Sequence, residues 1–151
     1  MVQQLSFELP EIDRQATRDA VERALETARF YKEVGFVPRM PPVSHSFPRT
    51  DADFIHGQNN NRSAVEEAAV YNVDEYEHRR QVVEQVERAV GRLGPLERKI
   101  ITKKYLEQDE IPDYCVATEL SLSERKYYRV KARAIYKLAF SLRIEVMHEQ
   151  K

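Results

Sequence analysis

Residues 93–142 read as a string of short helices that ends in one both amphipathic and strongly basic, and few folds accommodate that order. Within 123–137 there are six Lys or Arg residues against a single acid, Glu124. Pro112 suits the first turn of a helix, where its missing N–H would have no partner anyway, and Asp113 sets a negative charge at the positive end of that helix. Val116 and Leu120 stand four apart and can face one core, and the small Ala117 between them lets a second helix cross closely. Ser121-Leu122-Ser123 reads as a three-residue turn whose leucine plugs the angle between helices, with Ser123 as the N-cap of the next helix. A short helix, a tight turn and a basic helix form the order in which a helix-turn-helix presents one helix to the major groove.

The last helix sorts its residues by face. Tyr127, Val130, Ala134 and Leu138 fall together by steps of three and four, and Ile135 widens that stripe. The opposite face carries Glu124, Arg125, Tyr128, Arg129, Ala132 and Tyr136, flanked by Lys126, Lys131, Arg133 and Lys137. Side chains at the N-terminal end of such a helix reach base edges. Arg125 and Arg129 can each pair with guanine, a contact worth about 1–3 kcal/mol of discrimination, and Tyr128 can stack on a sugar or pack on a thymine methyl. Lys131, Arg133 and Lys137, together with Ser123 and Lys126, are expected at phosphates, which position a protein without reading sequence. Basic amphipathic helices also occur as plain solvated faces. Here the preceding small-residue helix and tight turn favour double-stranded DNA as the partner.

The net charge of −1 looks wrong for a nucleic-acid binder until it is located. Residues 1–95 carry a balance of −4 and residues 96–143 one of +4, so a single basic end meets phosphate from an acidic body. No apolar run approaches the roughly 18 residues that cross a bilayer, and the N-terminus lacks the basic-then-apolar pattern of a secretory signal. One cysteine, Cys115, excludes an internal disulfide framework and suits a reducing compartment. No membrane is expected, and the location expected is the cytoplasm.

The fold expected is all-α. Residues 1–35 form an N-terminal helical region: apolar positions from Ile12 through Ala16, Ala20, Ala24, Ala28 and Tyr31 recur at helical spacing, with Val21 and Leu25 beside them and Gly35 as a stop. Residues 36–62, with four prolines, a glycine and an Asn tract, read as a connector. Residues 63–143 form the helix-turn-helix domain. There Ser63-x-x-Glu66 has the form of a capping box, Asp74 opens a second helix reaching Leu93, and Gly94-Pro95 breaks it before a helix over 96–106. Residues 144–151 are a tail.

Leu96-Glu97-Arg98 through Tyr105, Val116-Ala117 through Leu120, and the run from Ser121 to Ala134-x-x-x-Leu138 resemble region 4 of bacterial sigma factors. That resemblance covers about a third of the chain. It implies that Glu124, Arg125, Tyr128 and Arg129 match the positions from which that family reads the −35 promoter element. Over nearly the whole chain, the order Ile12-Asp13, a Pro-rich stretch, Ser63-x-Val65-Glu66 and a sigma-like C-terminal segment resembles the ArpU family of phage and prophage transcriptional regulators. Tyr127-Tyr128-Arg129-x-Lys131 fits that family's recognition helix. The resemblance implies regulation of late phage genes through contact with RNA polymerase. The chain departs from a complete sigma factor in lacking a promoter-melting region.

An enzyme finds little support. His45, His56, His78 and His148 fall into no metal-binding spacing, and a metal gathered by His45, Asp51, Asp53 and His56 is a poorer account of those residues than a polar Pro-rich loop. No phosphate-cradling or nucleophile-elbow motif occurs, Cys115 has no histidine nearby in sequence, and no cofactor is expected. A small terminase subunit, which also joins a helix-turn-helix to oligomerising helices, is the alternative, although such proteins usually carry that element at the N-terminus. A helical interaction module is another: Val82, Val83, Val86, Val90 and Leu93 can pair with a second copy or with the chain's own core. A homodimer built from the N-terminal helices is expected, since DNA readers gain palindrome recognition by dimerising.

Overall fold

The computed structural model describes residues 11–41, 54–107 and 111–148, with side chains in the long second helix described from Ala64 onward. The fold is all-α, and the described residues hold five α-helices and no β-strand. The first, α1, spans Arg14–Val34; Asp13 caps it by accepting the Ala16 N–H at 2.9 Å, and Gly35 ends it at φ 67°. Its buried line is Thr17, Val21, Leu25 and Ala28, one residue round from the alanine stripe expected, because the larger Val21 and Leu25 bury more apolar area than the alanines.

Helix α2 runs unbroken over Phe54–Gly91, 38 residues, or about 57 Å at 1.5 Å per residue. This corrects three expectations. The connector over 36–62 is helical from Phe54 on, Ser63 lies within a helix rather than capping one, and Asp74 opens nothing. Asn and Gly cost a helix only about 0.5–1 kcal/mol each, and all the prolines of that stretch lie at or before Pro48. Ion pairs along the surface, Arg79 with Glu75 at 2.7 Å and Arg80 with Glu77 and Glu84 at 2.8 and 2.7 Å, support the continuation.

After Gly94, whose N–H donates to Glu97 Oε2 at 3.0 Å, α3 spans Pro95–Ile101 and passes directly into a π-helical turn, Thr102–Leu106. The single helix expected over 96–106 is therefore α-helical in its first half only. The extra residue in the π-turn belongs to a segment that buries Ile100 and Ile101 and, further on, Tyr105. Helix α4 spans Asp113–Glu119 and α5 spans Glu124–Leu142.

Two apolar clusters hold these elements. The larger joins Val21, Leu25 and Ala28 of α1, Val86, Ala89 and Val90 of α2, Tyr105, and Ala134, Ile135, Leu138 and Ala139 of α5. The smaller joins Ile100 of α3, Val116 and Ala117 of α4, and Tyr127 and Val130 of α5, with Leu120 and Leu122 packed on it. Helix α5 thus gives its first half to one core and its second half to the other. Residues 144–148, expected as part of a tail, return to the start of α1: Asp13 N–H donates to Val146 O at 2.8 Å, His148 N–H to Glu11 O at 2.8 Å, and Val146 N–H to the buried Thr17 Oγ1 at 2.9 Å.

The α4–α5 turn needs one residue in the left-handed region, and Ser121 supplies it at φ 54°. From there the Leu122 N–H reaches back to Ala117 O at 2.9 Å. A side chain in that conformation costs about 1–2 kcal/mol, so Ser121→Gly should raise the free energy of urea unfolding by about 1 kcal/mol. Ser121→Val, β-branched at the same φ, should lower it; equal stability of the two variants would contradict the strain.

Candidate nucleic-acid interface

The N-terminal end of α5 is built by its cap. Ser123 Oγ accepts the Lys126 N–H at 3.3 Å, which ends the turn and starts the helix in one residue. Ser123 is exposed, but its hydroxyl is engaged in that cap. Glu124, Arg125, Lys126, Tyr128, Arg129 and Arg133 all lie at the surface, with Tyr128 at 43% exposure. Arg125, Lys126 and Arg129 form no ion pair among the described residues, and Arg133 stands near enough to Glu97 to help keep that carboxylate ionised. Arg125, Arg129 and Arg133, at steps of four, make one ridge, and exposed Ala132 beside it leaves the helix backbone open to close approach. The Tyr128 ring stands edge-on to Tyr127, their centroids 5.3 Å apart, so the exposed aromatic is braced by a buried one.

Two residues expected at phosphates are placed elsewhere. Lys131 is 3% exposed. Its ammonium donates to Asp113 Oδ1 at 2.9 Å and lies 5.4 Å from the centre of the Tyr105 ring. The reason is helical phase: Lys131 is four residues beyond Tyr127 and four before Ile135, on the edge of the buried face. Lys137 keeps half its side chain in solvent, but its ammonium lies 2.9 Å from both oxygens of the buried Glu97. Its charge is spent on fastening α5 to α3. On α5 the exposed basic side chains outside these ion pairs are therefore Lys126 and Arg133 beside Arg125 and Arg129.

Asp113 is the residue whose part exceeds what the sequence indicates. At the first turn of α4 its Oδ1 accepts the Tyr127 hydroxyl at 2.6 Å and the Lys131 ammonium at 2.9 Å. Burial opposes its charge, yet the hydrogen bonds from Tyr127 and Lys131 outweigh that and hold its pKa below the ordinary carboxylate value. The Tyr127 hydroxyl is pushed above the usual tyrosine range, first by burial and then by Asp113. Glu97 repeats the pattern: burial works against its charge, and Lys137 with the Gly94 N–H prevails, lowering its pKa. The two lysines of the π-turn are also occupied, Lys103 by Glu119 at 2.7 Å and Lys104 by Ile111 O at 3.0 Å. Tyr114, 73% exposed on the first turn of α4, adds an aromatic to the surface of this unit that sequence reasoning passes over.

Among the described residues no group of His, Cys, Asp and Glu could hold a metal, and none of their helices is long and apolar enough to cross a membrane. His45, Asp51 and Asp53, and the side chain of His56, lie outside the described residues. Cys115 is a half-buried free thiol.

Asp113 has two measurable consequences. Its lowered pKa means that its contribution to stability is complete above the unfolded carboxylate value, about 3.9, and is lost as pH falls through the lower folded value. Unfolding free energy measured from pH 5 to pH 2 should therefore fall less steeply for Asp113→Asn than for the parent chain. Lys131→Met should cost about 1–3 kcal/mol by leaving Asp113 without its cation.

The chain is similar to two curated phage proteins. One, of Listeria innocua serovar 6a, bears the name "Uncharacterized phage-related protein Lin1259/Lin1739" and is 29% identical over 140 residues, covering 93% of this chain and 96% of that protein. The other is "Protein Gp66" of Listeria phage A118, 28% identical over 110 residues, 73% of each chain. No family profile and no solved structure matches the chain. What the comparisons establish is likeness to phage-related proteins along most of the chain.

Proposed function

We propose that the protein is a phage transcriptional regulator that binds double-stranded DNA by laying the N-terminal half of α5 in the major groove. The observation that carries this reading is the exposed basic ridge at the start of α5, on a helix pair with its own apolar core and a short turn capped by Ser123. In this reading Arg125 and Arg129 read bases, with Tyr128 and Glu124 beside them, and Lys126 and Arg133 hold phosphates. The protein acts by binding rather than by chemistry, within the host cytoplasm. Similarity to phage proteins along most of the chain supports the phage setting, while late-gene control with contact to RNA polymerase rests on the sequence resemblance to sigma region 4 and the ArpU family alone.

The full chain works in this reading as a homodimer joined through α2. Supporting this, Val65, Val73 and Tyr76 are 51, 67 and 55% exposed on the stretch of α2 that precedes its core residues Val86, Ala89 and Val90. Their spacing of eight and three brings them to one side of the helix, and two joined readers match a palindromic site. Val65→Asp/Val73→Asp should sediment as a monomer if α2 joins the copies, and an unchanged mass would contradict that arrangement.

DNA reading is tested with a duplex enriched from a random pool by the full-length protein. Arg129→Ala should weaken binding to that duplex more than to random DNA, by about tenfold or more. Arg133→Ala should weaken both alike and lower the salt slope by about one. Identical effects of the two substitutions on both duplexes would overturn the assigned roles. Ring-shaped oligomers, with protection near a packaging origin, would point to the terminase alternative.

A further inference from the structure

At the end of the domain remote from the reading helix start, the last turn of α2 and the last turn of α5 enclose a shallow basin of about 420 Å³. Gln85, Arg88, Arg92, Ser141 and Arg143 line it, with Ala89 and Leu142 as its apolar floor, and no carboxylate is among the lining residues. Arg92 and Arg143 form no ion pair among the described residues. Arg88 approaches Glu84 only at 3.8 Å, and that carboxylate is already held by Arg80 at 2.7 Å. Two helix C-termini meet here, and each supplies about half a negative charge. Three guanidiniums exceed that by roughly two charges. Arg143 also holds a left-handed conformation, φ 57° and ψ 45°, at a helix end where glycine is the cheaper residue. The position thus bears backbone strain while presenting a guanidinium to the basin.

From these features we infer that the basin is a docking site for an acidic helix of a partner protein, bound through carboxylates one turn apart. Arg88 stands in the last turn of α2 and Arg92 one residue past its end, its N–H still bonded back to Ala89 O at 3.2 Å, so the two lie about one turn apart, as do glutamates at i and i+4 on a facing helix. Each guanidinium offers the planar fork that a carboxylate accepts in bidentate fashion. The basin is open and its arginines are exposed, Arg88 by 80%, which suits a macromolecular surface better than a small ligand that would have to be largely enclosed. A DNA backbone is the poorer occupant. Ser123 and Arg143 are about 30 Å apart along α5, while the major groove is only about 8.5 Å deep, so a duplex engaged by the reading end lies away from the basin. That last step rests on the proposed DNA reading.

The test uses the full chain and a rhodamine-labelled, acetylated helical peptide with paired glutamates four residues apart, monitored by fluorescence anisotropy at low salt without DNA. The parent protein should bind this peptide. Arg88→Gln/Arg92→Gln/Arg143→Gln should weaken it at least tenfold, as should replacing the peptide's glutamates with glutamine. Arg125→Gln/Arg129→Gln should leave it unchanged. If the triple variant melts early by circular dichroism, Arg92→Gln alone, whose side chain forms no ion pair among the described residues, should still give about a threefold loss. Equal peptide affinity in parent and basin variants, or a loss that tracks Arg125 and Arg129 instead, overturns the proposal. A separate titration with random duplex DNA keeps the two readings apart: the basin variants should stay within about twofold of the parent. A loss there as large as the peptide loss would make the basin a DNA-backbone contact and overturn the acidic-helix site, while leaving DNA binding itself intact.

Discussion

One carboxylate oxygen governs the geometry of the candidate interface. Asp113 Oδ1 receives a hydroxyl from Tyr127 and an ammonium from Lys131, on the first and second turns of α5, and so ties the start of α4 to α5. Apolar packing among Ile100, Val116, Ala117, Tyr127 and Val130 brings the two helices together, but packing alone is indifferent to small rotations of one helix on another. A short, charged, directional contact is not. The orientation of Arg125 and Arg129 relative to α4 therefore depends on a group that never touches the surface they present.

The same contact leads into the rest of the molecule. Lys131 lies against the Tyr105 ring, and the Tyr105 hydroxyl donates to Glu22 of α1 at 2.7 Å, so a chain of contacts through Tyr105 of the larger core joins the helix pair to the N-terminal helix. Burial and the Glu22 carboxylate both keep the Tyr105 hydroxyl protonated and donating. Glu97 and Lys137 fasten α5 to α3 farther along, and the return of residues 144–148 onto α1 fixes its far end. With the two halves of its apolar face buried in different clusters, α5 joins both cores, and its exposed face is set by packing against each.

Much of this is legible in the chain, for physical reasons that differ from place to place. The turn at Ser121-Leu122-Ser123 and the stripe Tyr127, Val130, Ala134 and Leu138 are readable because capping and the 3.6-residue period are local properties. Exposure of Glu124, Arg125, Tyr128 and Arg129 comes from the same wheel. The full extent of α2 is not readable, because an Asn tract and one glycine lower helix propensity without forbidding a helix. Lys131 and Lys137 look like phosphate ligands because composition counts charges and cannot see their partners. Asp113 is eighteen positions from Lys131 and Glu97 forty from Lys137, separations at which only the folded topology brings acid and base together.

The most direct test of the central claim, that the start of α5 enters the major groove, is chemical protection on a duplex selected by the full-length protein. Dimethyl sulfate methylates the N7 of guanine from the major groove and the N3 of adenine from the minor groove. The account predicts a cluster of guanines protected at N7 within each bound site, with adenine N3 reactivity unchanged there. Protection confined to adenine N3, or bound DNA with every guanine N7 still reactive, would contradict it.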